Sequence, residues 1–396
     1  MSQLQIRNIG QLFVGKGQVL TGQALAIDHG RVSYLGAEGG LTARGDVIDA
    51  GGGLVSPGLV DAHTHLVFAG DRADEFAQRC AGATYLEIAQ KGGGILSTVR
   101  ATQLASEKEL VELALPRLAA LLAQGVTTAE VKSGYGLTVD DELKMLRVIR
   151  RLQGLQPISL VPTLLALHAV PQGVDRSAWV RTVLTELLPR VAQDKLAVFC
   201  DVFVEQSAFT ADEAREVLRA ARALGLLPRL HVDQLTPGKG AELAAELSAV
   251  TADHLEHASD AGMRALGAAG TVAVLAPIST LYLRQRPFAN GRKLRDAGVS
   301  VALCTNCNPG SAMTENVALA MGLACLECGL TPLEALEAFT GNAAHALRVQ
   351  HAGHLRLGDP ADVVIFKAKS PAHLVWHLGQ SEVRAVLKAG KLVHGG

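Results

Sequence analysis

The chain has 396 residues, 48% of them hydrophobic and 19% charged, and 37 Lys+Arg against 38 Asp+Glu leave a formal net charge of −1. This balance excludes a disordered chain, which needs low hydrophobicity and high net charge. It also argues against nucleic acid or an anionic membrane as main partner, since both select a basic excess.

The N-terminus, MSQLQIRNIGQLFVGKG, lacks a basic segment leading into an apolar one, and no window offers an uninterrupted membrane-spanning run. The expectation is a cytoplasmic protein with reduced thiols. The first 55 residues alternate short apolar runs with glycine-rich turns (LQIRNI, QVLTG, VIDAGGGLVSPG), the pattern of strands in hairpins. The tail repeats it in HLRLGDPADVVIFKA and VRAVLKAGKLVHGG. Both ends are expected to join in one small β-sandwich domain, residues 1–57 and 348–396, with residues 58–347 inserted between them.

The middle holds eight apolar, β-leaning segments near 59–68, 126–134, 158–168, 197–205, 227–234, 249–257, 271–277 and 299–306. Ala/Leu/Glu/Arg-rich stretches of helical period lie between most of them. In TADEAREVLRAARALG, Thr210 is a good N-cap with Glu213 three residues on, and Gly225 is a C-terminal stop. Eight strands alternating with helices predict an α/β fold, a (β/α)8 TIM-like barrel. A doubly wound open sheet is the alternative, but no G-x-G-x-x-G or Walker A pattern follows the first strand.

Barrel chemistry gathers at the C-terminal strand ends. There the sequence places His63 and His65 (strand one), His231 (strand five), His254 (strand six) and Asn306 (strand eight). Alternate residues of a strand share a face, so His63 and His65 can reach one ion. Three imidazoles at one mouth, with room for water, match a catalytic metal site. A competing reading comes from Cys304/Cys307 and Cys325/Cys328, two C-x-x-C pairs spaced as in four-cysteine zinc sites. They would make a non-catalytic, zinc-stapled interaction protein. Cys325 and Cys328, however, lie in ENVALAMGLACLECG, an apolar helix closing at Gly329 and not the tight turn a zinc knuckle needs.

The phrases GLVSPGLVDAHTHL and LRLGDPADVVIFKA resemble the entry into and return from the barrel in the amidohydrolase superfamily. A strand-four lysine often bridges two metals there; AVFCDVFVE has none, which implies one ion per chain. HTHLVFAGDRADEF, GATYLEIAQKGGGILSTVRAT, EVKSGYGL, LLALHAVP, LHVDQL, TADHLEH and NPGSA are more specifically similar to the imidazolonepropionase family. That resemblance spans essentially the whole chain. It implies hydrolysis of 4-imidazolone-5-propanoate to N-formimidoyl-L-glutamate in histidine degradation, a zinc or iron ion, a small-molecule substrate and a homodimer. Another amidohydrolase, a nucleobase deaminase or cyclic-imide hydrolase, is the nearer alternative.

By motif, the resemblance implies His63, His65, His231 and Asn306 at the metal. It implies Arg72, Tyr135 and His168 at the substrate, with Arg72 forking onto the propanoate carboxylate. The loop of Asn308, Gly310 and Ser311 is a place for backbone donors to hold a carboxylate. Gln234 cannot be a base and is expected to hydrogen-bond the ring. His254 is the expected proton-handling or carbonyl-polarising group, since imidazole titrates near neutrality. His257 flanks the site, and His351, His354, His373, His377 and His394 are read as structural or solvated.

One departure stands out. The family runs Thr-Asp before the N-P-G loop, whereas this chain has Thr305-Asn306. Asparagine offers at most a neutral carbonyl oxygen and cannot accept a proton. The expectation is an impaired enzyme, by design or by nature, that binds the ring without turning it over efficiently.

Overall fold

Strands buried on both faces need apolar residues on both, and the eight middle segments supply them. The computed structural model describes residues 3–42, 44–83, 93–206 and 208–395. The segments form one parallel sheet in sequential order. Its strands are Leu59–Asp61, Val126–Lys132, Ser159–Leu167, Phe199–Val204, Leu227–Val232, Thr251–His254, Val272–Leu275 and Val301–Leu303. Helices lie between them, as the (β/α)8 reading requires. The helix Ala211–Ala223 carries the reciprocal Thr210–Glu213 capping box, and Gly225 takes a φ of +88° just past its end.

The first and eighth strands stop short of the sequence expectation, and their extensions close the barrel. His65 N donates to Cys307 O at 3.0 Å, and Asn306 N donates to His63 O at 3.1 Å. Residues 62–69 are buried but irregular. Arg117 fixes this stretch by donating to Leu66 O and Phe68 O, with its guanidinium 3.5 Å from the Phe68 ring centre. These bonds tie together the two segments that carry His63, His65 and Asn306.

The chain ends build two further sheets. In the six-stranded one, Lys391–Gly395, Val383–Lys388 and Val363–Phe366 from the tail continue into Leu54–Pro57, Gln11–Gly15 and Gln18–Leu20 from the N-terminus. The seam is antiparallel, with Val363 opposite Pro57. The four-stranded sheet is wholly N-terminal. Ile6, Leu25, Val55, Ile365 and Leu387 share a core between the two sheets. The inserted barrel therefore begins directly where Leu54–Pro57 hands over to its first strand.

Candidate active site

His63, His65 and His231 are buried, and one ring nitrogen from each lies within 4.8 Å of the others. His63 Nε2 is 3.0 Å from His65 Nε2. Burial, and then the nearby Lys132 charge, hold His63 and His231 well below the usual imidazole range. Burial and then His168 do the same for His65. Neutral imidazoles with converging lone pairs are what a divalent ion binds. The donor set fits an ion: His231 Nε2 and Asn306 Oδ1 are buried without a hydrogen-bond partner among the described residues.

Beside them opens a pocket lined by His65, Tyr135, His168, Phe203, His231, Gln234, His254, Asn306, Asn308 and Ser311. All of these except Phe203 were singled out from the sequence. His168 stacks on His65 with ring centres 5.0 Å apart, and its Nδ1 lies 3.1 Å from Gly134 O. Burial pushes His168 down to about 4 and pushes the Tyr135 phenol up.

His254 reaches the pocket by an irregular route. In register, Asp253 pairs opposite His231 and His254 opposite Val232. Pleat alternation alone would point His254 away from the face that His231 shares. A φ of +82° at His254 and +70° at Leu255 ends the strand and turns the ring back, to 5.4 Å from His231 and 5.6 Å from His63. Left-handed backbone at two successive non-glycine residues is strain of the kind held at functional sites. Asn306 is also left-handed, with a φ of +53°, three residues past its strand.

Arg72 is not in the pocket wall. Its Nε is paired with Glu75 Oε2 at 2.7 Å, and its guanidinium lies against Gly310, where any Cβ would strike it. A side chain at 310 would therefore displace the arginine from this position. The backbone donors of the 308–311 loop turn inward. Gly310 N and Ser311 N both donate to Asn308 Oδ1 at 2.8 Å, because asparagine closes its own turn. Those donors are engaged; what faces the pocket is Asn308 and Ser311.

Sequence reasoning missed a charged layer beneath the site. Lys132 Nζ donates to Glu130 Oε1 and Asp201 Oδ2, both at 2.7 Å, and lies 3.7 Å from Asp253 Oδ2. His231 Nδ1 is 3.0 Å from Asp201 Oδ2. Arg229 Nη2 donates to Asp253 Oδ2 at 3.0 Å and to Ala62 O at 2.9 Å. All five side chains are fully buried. Burial would raise Asp253, but Arg229 and Lys132 prevail and hold it down at about 2. Asp201, His231 and Asp253 also offer a metal-like cluster, but the Lys132 ammonium already lies against both carboxylates. A signal existed: Glu130/Lys132, Arg229/His231 and Asp61/His63/His65 each follow the two-residue strand period.

Neither C-x-x-C pair forms a metal cluster among the described residues, and all the cysteines are free. Cys325 lies in the helix Val317–Glu327, and Cys328 is its C-cap. The TYLEIAQKG part of the family-specific stretch, residues 84–92, lies outside the described residues.

The Amidohydrolase family profile matches residues 54–393. The chain is 58% identical to an imidazolonepropionase of Myxococcus xanthus over 94% of this chain and 90% of that protein. It is 42% identical to one from a Geobacillus species, over 99% and 98%. Among solved structures it resembles 5-methylcytosine deaminase from Klebsiella pneumoniae liganded with 5-fluorocytosine. The TM-score is 0.80 at 20% identity, over 99% of this chain and 97% of that one, a likeness of fold alone.

Proposed function

The chain belongs to the imidazolonepropionases of the amidohydrolase family, and from this we infer that it hydrolyses 4-imidazolone-5-propanoate to N-formimidoyl-L-glutamate in histidine degradation. The observation that carries this reading to the residues is the convergence of three buried imidazoles beside a pocket lined by further polar groups. We propose that His63, His65 and His231 hold one zinc or iron ion, with Asn306 Oδ1 as a neutral further donor; imidazole suits either metal. When bound, the ion supplies Lewis acidity toward the ring carbonyl and the attacking water.

The protein's own groups bind and orient. Arg72, held at Nε by Glu75, keeps its remaining donors for the propanoate carboxylate. Tyr135, His168 and Gln234 hold the ring, and Asn308 and Ser311 complete the wall, which supplies orientation. His254 donates to the ring oxygen as charge grows there. In the reaction, the water oxygen bonds to the ring carbonyl carbon and the adjacent C–N bond breaks. Its electron pair goes to nitrogen, which takes up a proton. An aspartate at 306 would carry that proton; Asn306 cannot. We therefore propose that this chain binds the ring but turns it over slowly.

The proposed assembly is a homodimer in the cytoplasm; among the described residues no helix is long and apolar enough to cross a membrane. The deciding experiment supplies 4-imidazolone-5-propanoate to the zinc- or iron-loaded chain and to N306D, and measures N-formimidoyl-L-glutamate. Product from neither protein would refute the assignment. Ammonia released from purines or pyrimidines would favour the deaminase reading.

A further inference from the structure

A histidine that presents Nε2 to an ion must carry its proton on Nδ1, and something must hold it there. For His63 Nδ1 the described residues offer one group. Its Nδ1 lies 2.7 Å from Asp253 Oδ2, and both side chains are fully buried. The same oxygen accepts from Arg229 Nη2 at 3.0 Å and has Lys132 Nζ at 3.7 Å. Arg229 also donates to Ala62 O at 2.9 Å, so one guanidinium grips the backbone just before His63 and the carboxylate beneath its ring. Asp253 does not touch the pocket, and His63 is the site histidine that it hydrogen-bonds.

We propose that Asp253 is a positioning residue: braced by Arg229, it fixes His63 as the Nδ1–H tautomer and so aims the Nε2 lone pair at the metal position. This rests on the metal reading above.

The two tautomers have different nitrogen chemical shifts, so the test does not depend on activity. The full-length chain is labelled with 15N-histidine and stripped of metal by chelator. Its two-bond proton–nitrogen spectra are recorded, with His63 assigned by the signal lost in H63Q. The wild type should show His63 protonated at Nδ1. D253N keeps an oxygen facing Arg229 and should keep the pattern. D253L removes the acceptor; its His63 should shift to Nε2–H or a mixture. Zinc should then be lost to a competing chelator about 10–100-fold more readily. A wild-type His63 protonated at Nε2 overturns the proposal, and this measurement needs no variant to fold. So does a D253L that keeps the Nδ1–H pattern and holds zinc within twofold of wild type. A wild-type chain that bound neither zinc nor iron would refute the metal reading, and the metal-free spectra would still decide the tautomer.

Discussion

Changing Asn306 to Asp swaps an amide NH2 for an oxygen of nearly the same size, so charge changes and shape does not. Asn306 is 2% exposed, and its Oδ1 has no hydrogen-bond partner among the described residues. Its backbone is held independently: Asn306 N donates to His63 O, and Asn306 O accepts from Asn308 Nδ2. The loop should therefore keep its place. In the metal-loaded enzyme the new carboxylate restores a negative donor and a proton acceptor. A general base contributes about 10²–10⁴-fold, roughly 3–5 kcal/mol of barrier, so kcat should rise by that factor. In the metal-free chain the same carboxylate is buried beside neutral imidazoles without a partner. N306D should then be less stable than wild type by about 1–3 kcal/mol, the cost of an unsatisfied buried polar group, or more because it is charged. Added zinc should reverse the order, since an ion that binds the folded state alone stabilises it. Chemical denaturation with and without metal measures the crossing, and formation of formimidoylglutamate measures the rate. Equal rates in the two proteins would refute the reasoning about position 306. Equal metal-free stabilities would refute the buried-charge argument.

R72K should raise KM about tenfold or more with a smaller change in kcat, because lysine loses the forked geometry; steady-state kinetics separates the two. G310A should also raise KM, since its methyl strikes the Arg72 guanidinium, while a thermal melt stays near wild type. His168 is held down at about 4 in the fold against an ordinary 6.5. The unfolded chain therefore binds the extra proton between those values, and stability falls as pH drops from 6.5 towards 4, by about 3 kcal/mol in full. Denaturation of the metal-free chain across that window should show this loss, and H168N should remove its share, leaving the part contributed by His63, His65 and His231. Replacing Cys325 and Cys328 by Ser should leave metal content unchanged, whereas replacing His63 and His65 should abolish it; elemental analysis of the purified proteins decides.

Much of the fold and site was legible because it is written in local periods. Eight apolar runs separated by helical stretches specify a parallel α/β sheet, since such sheets bury both faces of their strands, and the missing glycine-rich phosphate loop favoured the barrel over the doubly wound alternative. Polar residues where apolar strands end marked His231 and His254, and the two-residue period put His63 and His65 on one face. The turn chemistry at Thr210, Glu213 and Gly225 was local and was found.

What no local pattern contains is which strands meet across the barrel. Glu130 and Lys132 share a face by period, but only closure brings Asp201, Arg229 and Asp253 against them. Burial then makes those charges obligatory partners, because an unpaired charge there would be prohibitively costly. Backbone strain is equally invisible: alternation pointed His254 away from the site, and a left-handed turn, held by tertiary packing, brought it in. The sequence by itself determined the barrel, the histidines and the missing carboxylate at 306. The tertiary structure alone decided that three neutral imidazoles converge, that Arg72 sits against Gly310, and that Asp253 lies beneath His63, because long-range contacts depend on how the strands close and not on the spacing of residues along them.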